Sequence, residues 1–125
     1  MLPFGEVIPL ELMDELKRLG TDINDINERY MGSIELYIGV LERLTASVEE
    51  FEVMPHFESG DIAGALRCAH ALKGVTGNLS LTPLYEGYSE VTALLRAGES
   101  DKARERLEEL LPIQEKFIEC VKKYI

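Results

Sequence analysis

The chain has few groups with which to staple itself or to hold a metal. Only two cysteines occur in 125 residues, Cys68 and Cys120, far apart and outside any CxxC. Each falls within an apolar helical pattern, so two buried thiols of a reducing compartment are expected rather than a disulfide or a ligand pair. There are only two histidines, His56 and His70, and neither has a glutamate three residues before it. That shortage excludes a di-iron bundle, which needs paired Glu-x-x-His motifs, and a zinc site, which needs more ligands. No resident cofactor is therefore expected. Positive charge is scarce as well: 13 Lys and Arg stand against 23 Asp and Glu, a net charge of −10. Nucleic acid and anionic membrane surfaces both require clustered bases, so neither is an expected partner. No apolar run approaches the roughly 20 residues of a membrane helix. The N-terminal MLPFGEVIPLELMDEL has no basic stretch and meets acids early, unlike a signal peptide. Cytoplasm is the expected location and a monomer the default state.

No stretch alternates apolar and polar residues with β-branched enrichment, so no sheet is expected. Without a strand there is no setting for a P-loop or a Rossmann glycine fingerprint, and hence no ATP site. Repeats, linkers and low-complexity segments are also lacking.

What is present is an ordinary globular composition, 46% apolar and 29% charged, in a length suited to one domain over residues 1–125. The period is helical throughout. Ile34, Ile38, Leu41, Leu44, Val48 and Phe51 recur at steps of three and four. So do Ile62, Ala65, Ala69, Leu72, Thr76 and Leu79, then Leu84, Tyr88, Val91 and Leu95, then Ala103, Leu107, Leu110, Gln114, Phe117, Val121 and Tyr124. Punctuation divides them: Gly20, Gly32 with Ser33, the stretch Pro55 to Gly60 read as a loop, Thr82 before Pro83, and Gly98 before Ser100 and Asp101. Asp22 and Asp61 are candidate N-caps. Pro112 lies inside the last pattern and should kink or split that helix. The expectation is an all-α protein with helices at about 33–53, 61–79, 83–97 and 101–124, preceded by short helices at 9–19 and 22–30. Short connections favour an up-down-up-down antiparallel four-helix bundle, with the N-terminal pieces capping one end.

The stretch that carries chemistry is DIAGALRCAHALKGVTGNL, residues 61–79. On a helical wheel Arg67, Lys73, Gly74 and Gly77 fall on the face of His70, being three before and three, four and seven after it. A lone histidine on a helix is ordinarily an unremarkable surface side chain, and a lone base an ordinary solvated one. Together they form a constellation. Neighbouring cations disfavour an imidazolium and stabilise negative charge placed on the ring. A neutral imidazole can attack phosphorus and hold a phosphoryl group covalently, a chemistry that depends on alignment and charge stabilisation. Three glycines, Gly64, Gly74 and Gly77, share this one helix, each costing about 1 kcal/mol relative to alanine. Close packing at a helix crossing is one explanation. A surface kept bare for an approaching group is the other.

The run AHALKGVTGNLSLTPL, Ala69 to Leu84, resembles the signature of histidine phosphotransfer (HPt) domains, a His-x-Leu-Lys-Gly string. His70, Leu72, Lys73 and Gly74 match it in place, and Asn78 with Leu79 match the Asn-Leu that commonly follows. The segment from Ile26 to Phe51, with its ELYIGVLERL, is similar to the family's stretch before the histidine helix. The sequence departs from the signature at Ser80, where glycine is common. The resemblance covers about residues 20–97, and the last helix agrees in pattern only. It implies a four-helix bundle in which His70 is the phosphoacceptor, Lys73 stabilises the phosphoryl charge and Gly74 keeps it accessible. It also implies partners: a response-regulator receiver domain or a hybrid histidine kinase, with the aspartate and the Mg²⁺ supplied by the receiver. Such a phosphorelay intermediate of two-component signalling is a carrier, not an enzyme. An exposed Leu66, with Arg67, Gly74, Gly77 and Asn78, would form the docking surface around His70. The competing expectation is a helical protein–protein interaction module that is never phosphorylated. It accounts for the bundle and the acidity, but not for His, Lys and two Gly on one face.

Overall fold

The helical periods become eight α-helices in this computed structural model, which describes residues 7–125 and side chains from residue 10 onward. The leader reading of the N-terminal run rests in part on residues 1–6, which lie outside the described residues. In chain order the helices are α1 (Val7–Arg18), α2 (Ile23–Arg29), α3 (Ile34–Leu41), α4 (Leu44–Glu50), α5 (Met54–Glu58), α6 (Ile62–Asn78), α7 (Thr82–Arg96) and α8 (Ser100–Tyr124). No strand occurs among the described residues, and none of these helices is long and apolar enough to cross a membrane.

Local chemistry sets most boundaries. Asp22, Ser33 and Asp61 each occupy an N-cap, and their side-chain oxygens accept from the N–H groups of Asp25 (3.0 Å), Leu36 (3.2 Å) and Gly64 (2.9 Å). At α7 the cap position falls on Leu81 rather than Thr82, so Thr82 and Pro83 form its first turn. At α8 it falls on Glu99 rather than Ser100.

The expected helix at 33–53 is two pieces, α3 and α4. Between α3 and α4 the Arg43 N–H bonds the Val40 carbonyl at 3.1 Å. That single three-residue step tightens one turn and separates the two helices. The stretch Pro55 to Gly60 is not simply a loop: Pro55 sits in the first turn of α5, where its missing N–H does no harm, and Phe57 on α5 is buried. Pro112, by contrast, does not split α8. The helix runs through it, and the proline is on the exposed side.

One hydrophobic cluster takes side chains from all eight helices, with Leu16, Tyr37, Leu72, Tyr88 and Phe117 among its fully buried members. Helix α6 packs on α7 and α7 on α8; α1 lies on α8, and α4 and α5 bridge α6 and α8. Gly87 makes the α7–α8 approach close, because the Leu110 side chain fills the space a Cβ would need. The one polar residue in the apolar stripe of α8, Gln114, is buried and accepts a hydrogen bond from the buried Tyr88 hydroxyl. Burial pushes the Tyr88 phenol up, since its charged form would lose its hydration. Cys68 and Cys120 are free and buried, and desolvation raises the Cys120 thiol to about 11.

Candidate functional site

Helix α6 turns Ala65, Ala69, Leu72 and Thr76 into the core and leaves His70 and Gly74 exposed. Ile62, expected in the same apolar stripe, is 38% exposed. It is the first residue of the helix, and helical side chains lean toward the N-terminus, so Ile62 leans past the end of its neighbours.

The far end of α6 is held by two tyrosines. The Tyr30 hydroxyl donates to the Asn78 carbonyl and the Tyr37 hydroxyl to the Leu79 carbonyl, both at 2.8 Å. These carbonyls have no partner within the helix, so the tyrosines satisfy what the helix end leaves open. The rings meet edge to face at 5.2 Å. The Tyr37 phenol is driven up by burial and stays a neutral donor. This clamp fastens the α2–α3 segment against the C-terminal end of α6, and with it brings a residue of α2 to the histidine.

A shallow depression beside His70 is lined by Arg29, His70, Lys73, Gly74, Gly77, Asn78 and Tyr85. Five of these seven residues were expected at the site from sequence. Leu66 and Arg67 are not among them. Leu66, expected to stand free in solvent, is half-buried against the core. Arg67 is exposed, and its charge acts on Asp61 and Cys68. The lean of helical side chains explains the asymmetry: a residue three positions after His70 inclines back toward it, and one three positions before inclines away. Lys73 is half-buried and forms no ion pair among the described residues. The His70 ring makes no side-chain hydrogen bond among them either, whereas the other histidine, His56, meets Asp61 at 3.1 Å. The Gly64 N–H and then His56 hold the Asp61 carboxyl below the usual carboxylate range.

The three glycines of α6 separate into two kinds. A Cβ at Gly64 would strike the Asp61 and His56 side chains, and one at Gly77 would come 2.9 Å from the Tyr85 ring. Close packing accounts for both. At Gly74 a Cβ would meet nothing within 4 Å. Gly74 is an exposed glycine inside a helix, four residues from His70, with no packing reason to be glycine.

Arg29 and Tyr85 were missed from the sequence. Arg29 shows only a helical pairing with Asp25, four residues earlier, a pattern common on solvated faces. Tyr85 is 41% exposed and reaches the depression only through the α6–α7 crossing. No local signal marks either one.

Ser80, the departure from the signature, adopts a left-handed backbone with φ +57°. Its hydroxyl donates to Asp25 Oδ2 at 2.6 Å, and Arg29 Nε donates to the same oxygen at 2.7 Å. The serine hydroxyl first and the guanidinium second hold the Asp25 carboxyl below its ordinary value. Among the described residues no group of three or more His, Cys, Asp or Glu side chains is arranged to hold a metal ion.

What this surface offers chemically is an unencumbered imidazole, a lysine and an arginine bordering the same depression, and a bare stretch of backbone above it. A family model described as the Hpt domain matches residues 11–119, most of the chain. No curated protein and no solved structure gives a significant match.

Proposed function

The chain belongs to the Hpt domain family, whose members carry phosphoryl groups in two-component signalling, and from that premise we propose that His70 is the phosphoacceptor. A ring nitrogen of His70 attacks the phosphorus of a receiver domain's aspartyl phosphate. The new N–P bond forms as the P–O bond to the aspartate breaks, and the carboxylate leaves with the electron pair. A hybrid kinase can serve as donor in the same way, through the aspartyl phosphate of its own receiver domain. The reverse step hands the group to the aspartate of another receiver. Lys73 neutralises part of the phosphoryl charge, and Gly74 lets the donor close on the ring. The Mg²⁺ and the catalytic aspartate belong to the partner, so this chain acts as a carrier and not as an enzyme.

The observation that carries the reading is Gly74: it lies one turn from His70, exposed, with open space where a side chain would stand. A helix-weakening residue is retained where only access explains it. Docking is assigned to the face around His70, with Gly77 and Asn78 near its centre and Leu66 and Arg67 toward its edge. Short turns at 79–81 and 97–99, with α6 on α7 and α7 on α8, support an up-down-up-down bundle in a single Hpt-like domain, acting as a monomer. A cytoplasmic setting follows from the same role, since receiver domains work there.

The test is to incubate the protein with a phosphorylated receiver domain and Mg²⁺. Acid-labile, base-stable label on the wild type and none on His70→Gln is expected. Equal label on both would move the site away from His70. No label on either, with a receiver that phosphorylates a known Hpt domain, would leave a helical interaction module as the better description.

A further inference from the structure

Two shallow depressions adjoin on the surface of α6 and share a wall made by Arg29, Gly77 and Tyr85. One holds His70 and Lys73. The other holds Asp22, Asp25, Ser80 and Thr82. Arg29 therefore stands between the histidine and the acids. Its Nε is engaged by Asp25 at 2.7 Å, and no other hydrogen bond or ion pair of Arg29 occurs among the described residues. The terminal amino groups of the guanidinium have no protein partner there.

Asp25 is itself held across a long stretch of chain. Its Oδ2 accepts from the Ser80 hydroxyl at 2.6 Å, and the Asp22 N–H donates to the Ser80 carbonyl at 3.0 Å. Ser80 makes these contacts from a left-handed backbone, φ +57°, which costs a non-glycine residue about 1–2 kcal/mol. A helical Asp25–Arg29 pair on a solvated face would need no such support. Here a buried serine in a strained conformation fixes the acid that fixes the arginine.

We propose that Arg29 is a second cation of the phosphoryl site, contacting the group on His70 together with Lys73, and that Asp25 and Ser80 are the positioning residues that aim it. The proposal rests on His70 being the phosphoacceptor. Asp25 holds one edge of the planar guanidinium while the remaining donors meet phosphoryl oxygens, a division of labour that the fork geometry of arginine permits and an ammonium does not. The N-terminal part of the chain thereby supplies half of the charge that meets the phosphoryl group.

The test compares wild type, Arg29→Gln, Arg29→Lys, Ser80→Ala and Lys73→Gln after loading from a phosphorylated receiver. The phosphoryl group is titrated by ³¹P NMR, and the labelled fraction at equilibrium with that receiver is measured. Losing a partly exposed cation should lower loading by about threefold and raise the second phosphoryl ionisation by about half a unit. Arg29→Gln and Lys73→Gln should each do this. Arg29→Lys should keep part of the effect, and Ser80→Ala should move the phosphoryl titration in the same direction by less. A phosphoryl group that titrates in Arg29→Gln as it does in wild type, with His70 labelled in both, overturns the role of Arg29 alone. Failure of the wild type itself to accept label overturns the underlying phosphoacceptor reading, and the role of Arg29 falls with it.

Discussion

Replacing Gly74 should make the protein more stable and, as the new side chain grows, a poorer phosphoryl acceptor. A Cβ at this position meets no atom within 4 Å, and the residue lies inside a helix of 17 residues. Gly74→Ala therefore introduces no clash and recovers the helix-propensity difference of about 1 kcal/mol. For a chain of 125 residues, average unfolding entropies give about 0.26 kcal/mol per kelvin at the midpoint, so the melting temperature should rise by about 4 °C. Gly74→Leu gains nearly as much stability. Its side chain, however, inclines toward the preceding turn, over the depression that contains His70 and Lys73. Displacing an incoming aspartyl phosphate by about 1 Å is enough to slow transfer on the order of a hundredfold, so Gly74→Leu should transfer at least about tenfold more slowly than wild type. Gly74→Ala should fall between them. Scanning calorimetry reads the first quantity and rapid-quench transfer from a phosphorylated receiver the second. A lower melting temperature for Gly74→Ala would mean that the glycine answers a structural need. Wild-type transfer by the leucine variant would mean that bare backbone is not what the donor requires.

Three further outcomes follow from the same geometry. At Ser80, glycine should be tolerated better than alanine by about 1 kcal/mol in urea unfolding: both lose the hydrogen bond to Asp25, but only alanine keeps the left-handed strain. Tyr88→Phe leaves the buried Gln114 carbonyl oxygen without its donor and should lower stability by about 1–3 kcal/mol, with Gln114→Leu restoring much of the loss in the double variant. Stability should also fall as the solution is acidified. Glu15 is held down first by Tyr124 and then by Lys123, Asp25 by Ser80 and Arg29, and Asp61 by the Gly64 N–H and His56. A carboxyl whose folded value lies below its unfolded one stabilises the fold fully above the unfolded value, about 4, and loses that contribution as pH drops through the folded value. Urea midpoints measured from neutral pH to about pH 2 should decline in that window, and Asp25→Asn should flatten part of the slope.

The helices nearest the site were the most legible. The periods around Ala69, Tyr88 and Phe117 run without interruption and end at residues suited to stopping them, and α6, α7 and α8 appear close to where they were expected. The break at residues 42–43 could not be read, because the apolar phase from Tyr37 through Leu41 to Leu44 passes straight across it. One tightened turn leaves that phase unchanged. Helix α5 was hidden by Pro55, which stops a helix from inside but opens one from its first turn. In the site, the angular relation of His70, Lys73 and Gly74 was enough to place them together. The same wheel put Arg67 beside His70, because it records angle and not the direction in which side chains lean. Arg29 and Tyr85 arrive from other helices through the tyrosine clamp and the α6–α7 crossing, and no periodicity carries that information. Gly77 and Gly74 look alike in sequence. Only the Tyr85 ring distinguishes the glycine that packs from the one that leaves space.

As a phosphocarrier, His70 must both hold a phosphoryl group and give it up again. The most direct measurement starts from the chain labelled by a phosphorylated receiver and purified away from its donor. The site of label is mapped by mass spectrometry under alkaline conditions, and the labelled chain is mixed with a fresh receiver and Mg²⁺. Label on His70, and its movement to the aspartate of the fresh receiver, is the expected result. Label on any other residue, or label that stays on His70 while a known Hpt domain discharges to the same receiver, would contradict it.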